Sequence, residues 1–123
     1  MTTPVLLAHR SRRGPAVVIT AEGEADTVTA PVLRRELTAA HDEIVESADG
    51  LVTMVLDATG VTFIDSTGLA ELIRANQQCE NKNITMHLVT SPELYRILEL
   101  TGLIEVFTIA VSLDAALEPD EKS

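Results

Sequence analysis

The sequence predicts a single α/β domain, with a mixed sheet of about five strands and about four helices. Three observations lead there. Short β-branched runs alternate along the chain with segments whose apolar residues recur at helical spacing. Leu51-Val52-Thr53-Met54-Val55-Leu56 is apolar almost without a break, as suits a strand buried on both faces. Gly14-Pro15 separates two apolar stretches near the start, the mark of a hairpin. Alternating strands and helices imply βαβ crossovers and parallel pairing, and the hairpin adds one antiparallel pair.

The elements follow in order. Val5 to Ala8 opens a first short strand. The basic run His9-Arg10-Ser11-Arg12-Arg13-Gly14-Pro15 then reads as a solvated turn, because charge runs usually mark exposed segments. Ala16 to Ala21 is a second strand, and Glu22-Gly23-Glu24-Ala25-Asp26 a polar bend. A helix opens at Thr29 or Ala30 with Pro31 in its first turn, where a missing N–H costs little. Val32, Leu33, Leu37, Ala40 and Ile44 form its apolar stripe, and Glu46 to Gly50 closes it. The buried strand from Leu51 ends at Asp57. A loop leads to a second helix carrying Leu69, Leu72 and Ile73 and ending near Glu80, then a strand over Ile84 to Val89.

Ser91-Pro92-Glu93 opens a third helix with a cap, a first-turn proline and an acid suited to the dipole. Thr101-Gly102 stops that helix with a C-cap glycine. Val106 to Ala110 is the last strand, and Ser112 caps a short helix over Leu113 to Leu117. The order is ββαβαβαβα: one domain over 1–123, its core about 5–117, with 118–123 a flexible acidic tail.

Composition narrows the function. Of 123 residues, 46% are hydrophobic, enough for a real core, but only 2% are aromatic, so that core is aliphatic. A net charge of −10 repels phosphate backbones and anionic lipid. Scarce aromatics remove the stacking platform for single-stranded nucleic acid. The partner expected is another protein, with no direct nucleic-acid or membrane contact. The single cysteine, Cys79, excludes an internal disulfide and leaves no zinc pattern. With no signal peptide and no membrane-length apolar run, the expected setting is the cytoplasm. No cofactor is expected.

The densest signal is Leu56-Asp57-Ala58-Thr59-Gly60-Val61-Thr62-Phe63-Ile64-Asp65-Ser66-Thr67-Gly68-Leu69, which joins the buried strand to the second helix. α/β folds place functional loops at such junctions. Unpaired N–H groups and the dipole at a helix N-terminus favour negative charge there. Local chemistry alone favours a plainer reading, since a hydroxyl residue before a helix most often serves as an N-cap worth roughly 1 kcal/mol.

Three segments alter that balance. Val61 to Leu69 resembles the signature loop of STAS domains of the anti-sigma factor antagonist class. Gly23-Glu24-Ala25-Asp26 resembles the family's Gly-Glu-x-Asp segment, and Leu100-Thr101-Gly102-Leu103 its Thr/Ser-Gly-Leu segment after the third helix. They follow the family's order, and the resemblance covers roughly residues 5 to 117. The resemblance implies that Ser66, less so Thr67, is phosphorylated by a partner that is both serine kinase and anti-sigma factor. It implies that the unphosphorylated antagonist captures this anti-sigma factor and releases a sigma factor, and that a serine phosphatase resets the modified form. It also implies partner contacts at Asp26, Asp65, Ser66, Thr67, Gly68 and Leu69. Two features depart from the pattern: Ala70 stands where glycine is common, and Arg10, Arg12 and Arg13 are not a family hallmark.

Other classes fit less well. A serine hydrolase elbow needs Gly where Ile64 stands. Asp57 lacks the acidic pair and lysine of a receiver domain, and reads as a cap for the turn before Gly60. Gly60 to Gly68 lacks the Gly-Lys-Ser/Thr ending of a P-loop. His9, His41 and His87 are scattered along the chain, so no enzyme is expected. The alternative is another use of the same module, as a stressosome-like scaffold or an adaptor in a lipid-transport complex. Glu71 and Arg74, near the start of the second helix, are candidate rim contacts that a solvated face explains equally well.

Overall fold

The computed structural model describes residues 3–48 and 50–118. The tail expected from 118 onward lies, beyond Glu118, outside the described residues. The elements are β1 (Leu6–Arg13), β2 (Ala16–Ala25), α1 (Ala30–Glu46), β3 (Thr53–Ile64) and α2 (Ser66–Asn81). They continue with β4 (Thr85–Thr90), α3 (Pro92–Thr101), a 3₁₀ turn (Leu103–Glu105), β5 (Thr108–Ala110) and α4 (Leu113–Leu117). One sheet holds all five strands in sequence order. β1 and β2 pair antiparallel, and every later pair is parallel.

That order dictates the layers. Each crossover through α1, α2 and α3 steps one strand along in the same direction, so a common handedness puts all three helices on one face. Their apolar stripes meet Val17, Ile19, Met54, Leu56 and Leu88 in the main core. Alternate strand residues point the other way. Val18, Val55 and Val89 therefore form a second, smaller cluster, which α4 covers with Ala116 and Leu117. The double-sided burial expected of the Leu51–Leu56 run holds for Met54, Val55 and Leu56, at most 1% exposed, but the strand begins only at Thr53 and Val52 before it is 53% exposed.

Local punctuation reads as expected in the second half. The Ser91 hydroxyl accepts from the Leu94 N–H at 3.1 Å, Gly102 takes the left-handed conformation, and the Ser112 hydroxyl accepts from the Ala115 N–H. Several other boundaries differ. The arginine run is not a turn but the second half of β1. There Arg10 Nε lies 3.0 Å from Glu36 and Nη1 3.1 Å from Glu43, and Arg12 Nη2 lies 3.4 Å from Glu43. Glu36 and Glu43 stand two turns apart on α1, so these ion pairs tie the edge strand to the helix above it. The groups are partly exposed, which limits each pair to about 1 kcal/mol or less.

The expected bend at Glu22 to Ala25 is likewise strand. Gly23 permits this with φ of +117°, and a Cβ there would collide with the carbonyl oxygen of Val5, the residue just before β1. β3 runs on through the expected loop to Ile64, and the last strand begins only at Thr108, after the 3₁₀ turn.

Cys79 is 1% exposed, with its Sγ 4.0 Å from Met54 Sδ. Burial, with Glu80 nearby, pushes its thiol up to about 11. The thiolate is the reactive form, so native Cys79 should resist alkylation at pH 8 and react fully in denaturant. Rapid modification of the folded protein would contradict this placement. An unfolded thiol titrates lower, so this group's share of stability declines as pH climbs from the ordinary thiol range towards 11.

Candidate phosphorylation and docking site

The parallel strands β2 and β3 end side by side, with Ala25 paired to Ile64, and each hands over to a helix. The Asp65 N–H donates to the Ala25 carbonyl at 3.0 Å, joining the two exits. Asp65 is extended and serves as the N-cap of α2. Its Oδ1 accepts from the N–H groups of Thr67 at 2.9 Å and Gly68 at 3.2 Å, while its carbonyl accepts from Leu69.

This assignment removes the plain cap reading from Ser66. The serine is the first residue inside the helix and is exposed, and its hydroxyl makes no hydrogen bond among the described residues. Asp65 has already engaged the next three N–H groups of the first turn. A phosphate on Ser66 would therefore face solvent or a partner, still favoured by the positive end of the helix dipole.

Asp26 plays a related part in the turn just before α1, whose N-cap is Thr29. Its Oδ1 accepts from the N–H groups of Val28 at 2.9 Å and Thr29 at 3.1 Å. The Thr29 hydroxyl donates to the Glu24 carbonyl at 2.6 Å and accepts from the Asp26 N–H at 2.9 Å. Two aspartates thus hold two helix starts at the same end of the sheet. Between them, Thr27 Oγ1 and Thr67 Oγ1 lie 3.2 Å apart.

The remaining expected positions divide by depth. Asp26, Asp65 and Thr67 are half-buried, while Gly68 and Leu69 lie in the interior. A Cβ on Gly68 would come within 2.9 Å of the Ala25 carbonyl oxygen and 2.8 Å of Ile64 Cγ1. These two residues hold the start of α2 against the strand ends. Glu71 is largely covered at 14% side-chain exposure, with Arg34 and Arg74 each 4.0 Å away, so of the two rim candidates Arg74 is the more accessible.

Three neighbours were not among the expected site residues: Thr27, and the exposed apolar residues Val28 (66%) and Phe63 (50%), the last appearing only as part of its motif. Phe63 is one of only two phenylalanines, a legible oddity once its strand is known to continue. Asp57 does serve its own turn, accepting from the Thr59 N–H at 3.1 Å and hydroxyl at 2.8 Å. His87 pairs with Val55 on β3, roughly 30 Å along the strand from the Ser66 end. Half-burial lowers its pKa, so it is neutral near pH 7. Among the described residues, no cluster of His, Cys, Asp or Glu could hold a metal ion, and no helix is long and apolar enough to cross a membrane.

An ordered five-strand sheet, three helices on one face and a serine opening α2 define a class, and the chain belongs to the STAS domain family, whose model matches residues 9–116. The anti-sigma-B factor antagonist of Listeria monocytogenes is 32% identical over 88 residues, 71% of this chain and 72% of that protein. The crystal structure of an anti-sigma factor antagonist from Mycobacterium paratuberculosis aligns with a TM-score of 0.78 at 28% identity, covering 92% of each chain. The phosphorylated form of the Bacillus cell fate determinant SpoIIAA aligns at 0.63 over 89% of this chain and 96% of its own. At 19% identity that likeness bears on the fold alone. These relatives are regulators rather than enzymes by name.

Proposed function

We propose that the chain is a cytoplasmic anti-sigma factor antagonist switched by phosphorylation of Ser66. Unphosphorylated, it captures an anti-sigma factor with serine kinase activity and so releases a sigma factor. Phosphorylation ends the capture, and a serine phosphatase restores it. The supporting observation is the state of the Ser66 hydroxyl: exposed, without a hydrogen bond among the described residues, and fixed at the first position of α2 by the Asp65 cap. Docking around it would use Asp26, Asp65 and Thr67 directly, with Gly68 and Leu69 holding the helix start in register.

The physics of the switch is local. Phosphate adds about −1.5 to −2 charges and three acceptor oxygens. Placed beside the Asp65 carboxylate, at a surface that must dock, it adds bulk and a charge that the interface must desolvate. The core lies behind Gly68 and Leu69 and is untouched.

The test is transcriptional. In the native host, Ser66→Ala cannot be phosphorylated at position 66 and should keep one sigma-dependent set of genes switched on. Deletion of the gene should keep the same set off. Matching transcript profiles in the two strains would defeat this proposal.

A further inference from the structure

We propose that Thr27 decides which hydroxyl of the Ser66-Thr67 pair accepts phosphate, by engaging Thr67 and leaving Ser66 as the acceptor. The inference rests on the reading of Ser66 as a regulatory site, and it adds a selectivity residue from a different part of the chain.

The geometry behind it is specific. Thr27 Oγ1 and Thr67 Oγ1 are 3.2 Å apart, although the residues are 40 positions apart in sequence. Both backbones are fixed independently of this contact. Thr27 lies between Asp26 and the two N–H groups that the Asp26 carboxylate accepts. The Thr67 N–H is held by Asp65 at 2.9 Å. A hydrogen bond between pre-positioned groups loses little conformational entropy on forming. Thr67 is also half-buried, whereas Ser66 is exposed and its hydroxyl has no partner among the described residues.

Phosphoryl transfer accentuates this difference. The acceptor oxygen must align with the γ-phosphorus of ATP and the bridging oxygen that leaves on ADP. A bond forms between the acceptor oxygen and γ-phosphorus, the bond from γ-phosphorus to the bridging oxygen breaks, and the hydroxyl proton passes to a base on the kinase. Ser66 can align freely. Thr67 must first break its bridge to Thr27, a disadvantage of roughly two- to tenfold for one neutral hydrogen bond.

The experiment combines two readouts. In the native host, phosphopeptide mapping would compare Ser66→Ala with Ser66→Ala/Thr27→Val. Valine keeps the branched shape of Thr27 and removes its hydroxyl. Phosphate on Thr67 should rise several-fold in the double variant, and Ser66→Ala/Thr27→Ser should match Ser66→Ala alone. In vitro, a double-mutant cycle of Thr27→Val and Thr67→Val should show a coupling of roughly two- to tenfold in the unfolding equilibrium constant. Additive effects in the cycle, or Thr67 occupancy indifferent to the Thr27 hydroxyl, would overturn the role of Thr27 while leaving Ser66 as the switch. A wild-type Ser66 that never carries phosphate would remove the switch and its selectivity device together.

Discussion

Phosphate on Ser66 is expected to weaken binding to the captured anti-sigma factor by roughly 30- to 1,000-fold, equivalent to about 2–4 kcal/mol. The magnitude follows from where the charge must go. Asp65 already holds the N–H groups of Thr67, Gly68 and Leu69, so little of the helix terminus remains to receive a phosphate. The group would point outward, next to a carboxylate, at the surface proposed to dock. Calorimetric titration of both forms against the isolated anti-sigma factor reads the ratio directly. Far-UV dichroism should be unchanged between them, because no core residue is displaced. Equal affinities, or a loss of helical signal on phosphorylation, would contradict an interface switch.

The second large effect is expected at a residue that carries no chemistry. Glycine inside a helix usually costs up to about 1 kcal/mol relative to alanine, so helix propensity alone predicts that Gly68→Ala stabilises the protein. Packing predicts the reverse. The new methyl would lie 2.8 Å from Ile64 Cγ1, 2.9 Å from the Ala25 carbonyl oxygen and 3.0 Å from Ala25 Cβ. Ile64 can adjust its side chain, but the Ala25 carbonyl is backbone already bonded to the Asp65 N–H. The start of α2 must move instead, at a net cost of about 1–3 kcal/mol. Urea unfolding should show a lower midpoint at an unchanged slope. A midpoint equal to or above wild type would mean that the strand ends are less tightly packed against α2 than the geometry requires.

Both effects turn on a junction only partly legible in the sequence. Elements whose signals are local were readable: Ser91, Pro92 and Gly102 delimit α3, and Ser112 opens α4. The apolar run around Met54 and Leu56 identifies a central strand through composition alone. Misplaced boundaries share a different cause. Glu22 and Glu24 look like a bend because acids and glycine are poor strand formers. They sit in β2 because Gly23 allows β1 to approach closely. Residues 58–64 look like a loop because Thr59 and Gly60 interrupt the apolar run, yet pairing with β2 carries the strand through to Ile64.

The arginines of β1 were misread for a similar reason. Their partners Glu36 and Glu43 lie on another element, and nothing local to the run announces them. At the site itself the motif drew attention to Asp26 and the Asp65–Leu69 segment, but it did not say which residue caps. That distinction needs backbone geometry: Asp65 is extended and Ser66 already helical. Thr27 was invisible for the same reason as Glu43, since its meaning lies in a partner 40 residues away.

Whether Ser66 carries the regulatory phosphate is decided by mass-spectrometric mapping of the protein purified from its native host. Growth and stress conditions should be sampled separately, with Ser66→Ala processed in parallel. Phosphate on Ser66 is expected, with an occupancy that changes with condition, and it should be lost from that position in the variant. A Ser66 unmodified under every condition would contradict it and leave the domain a constitutive binding module.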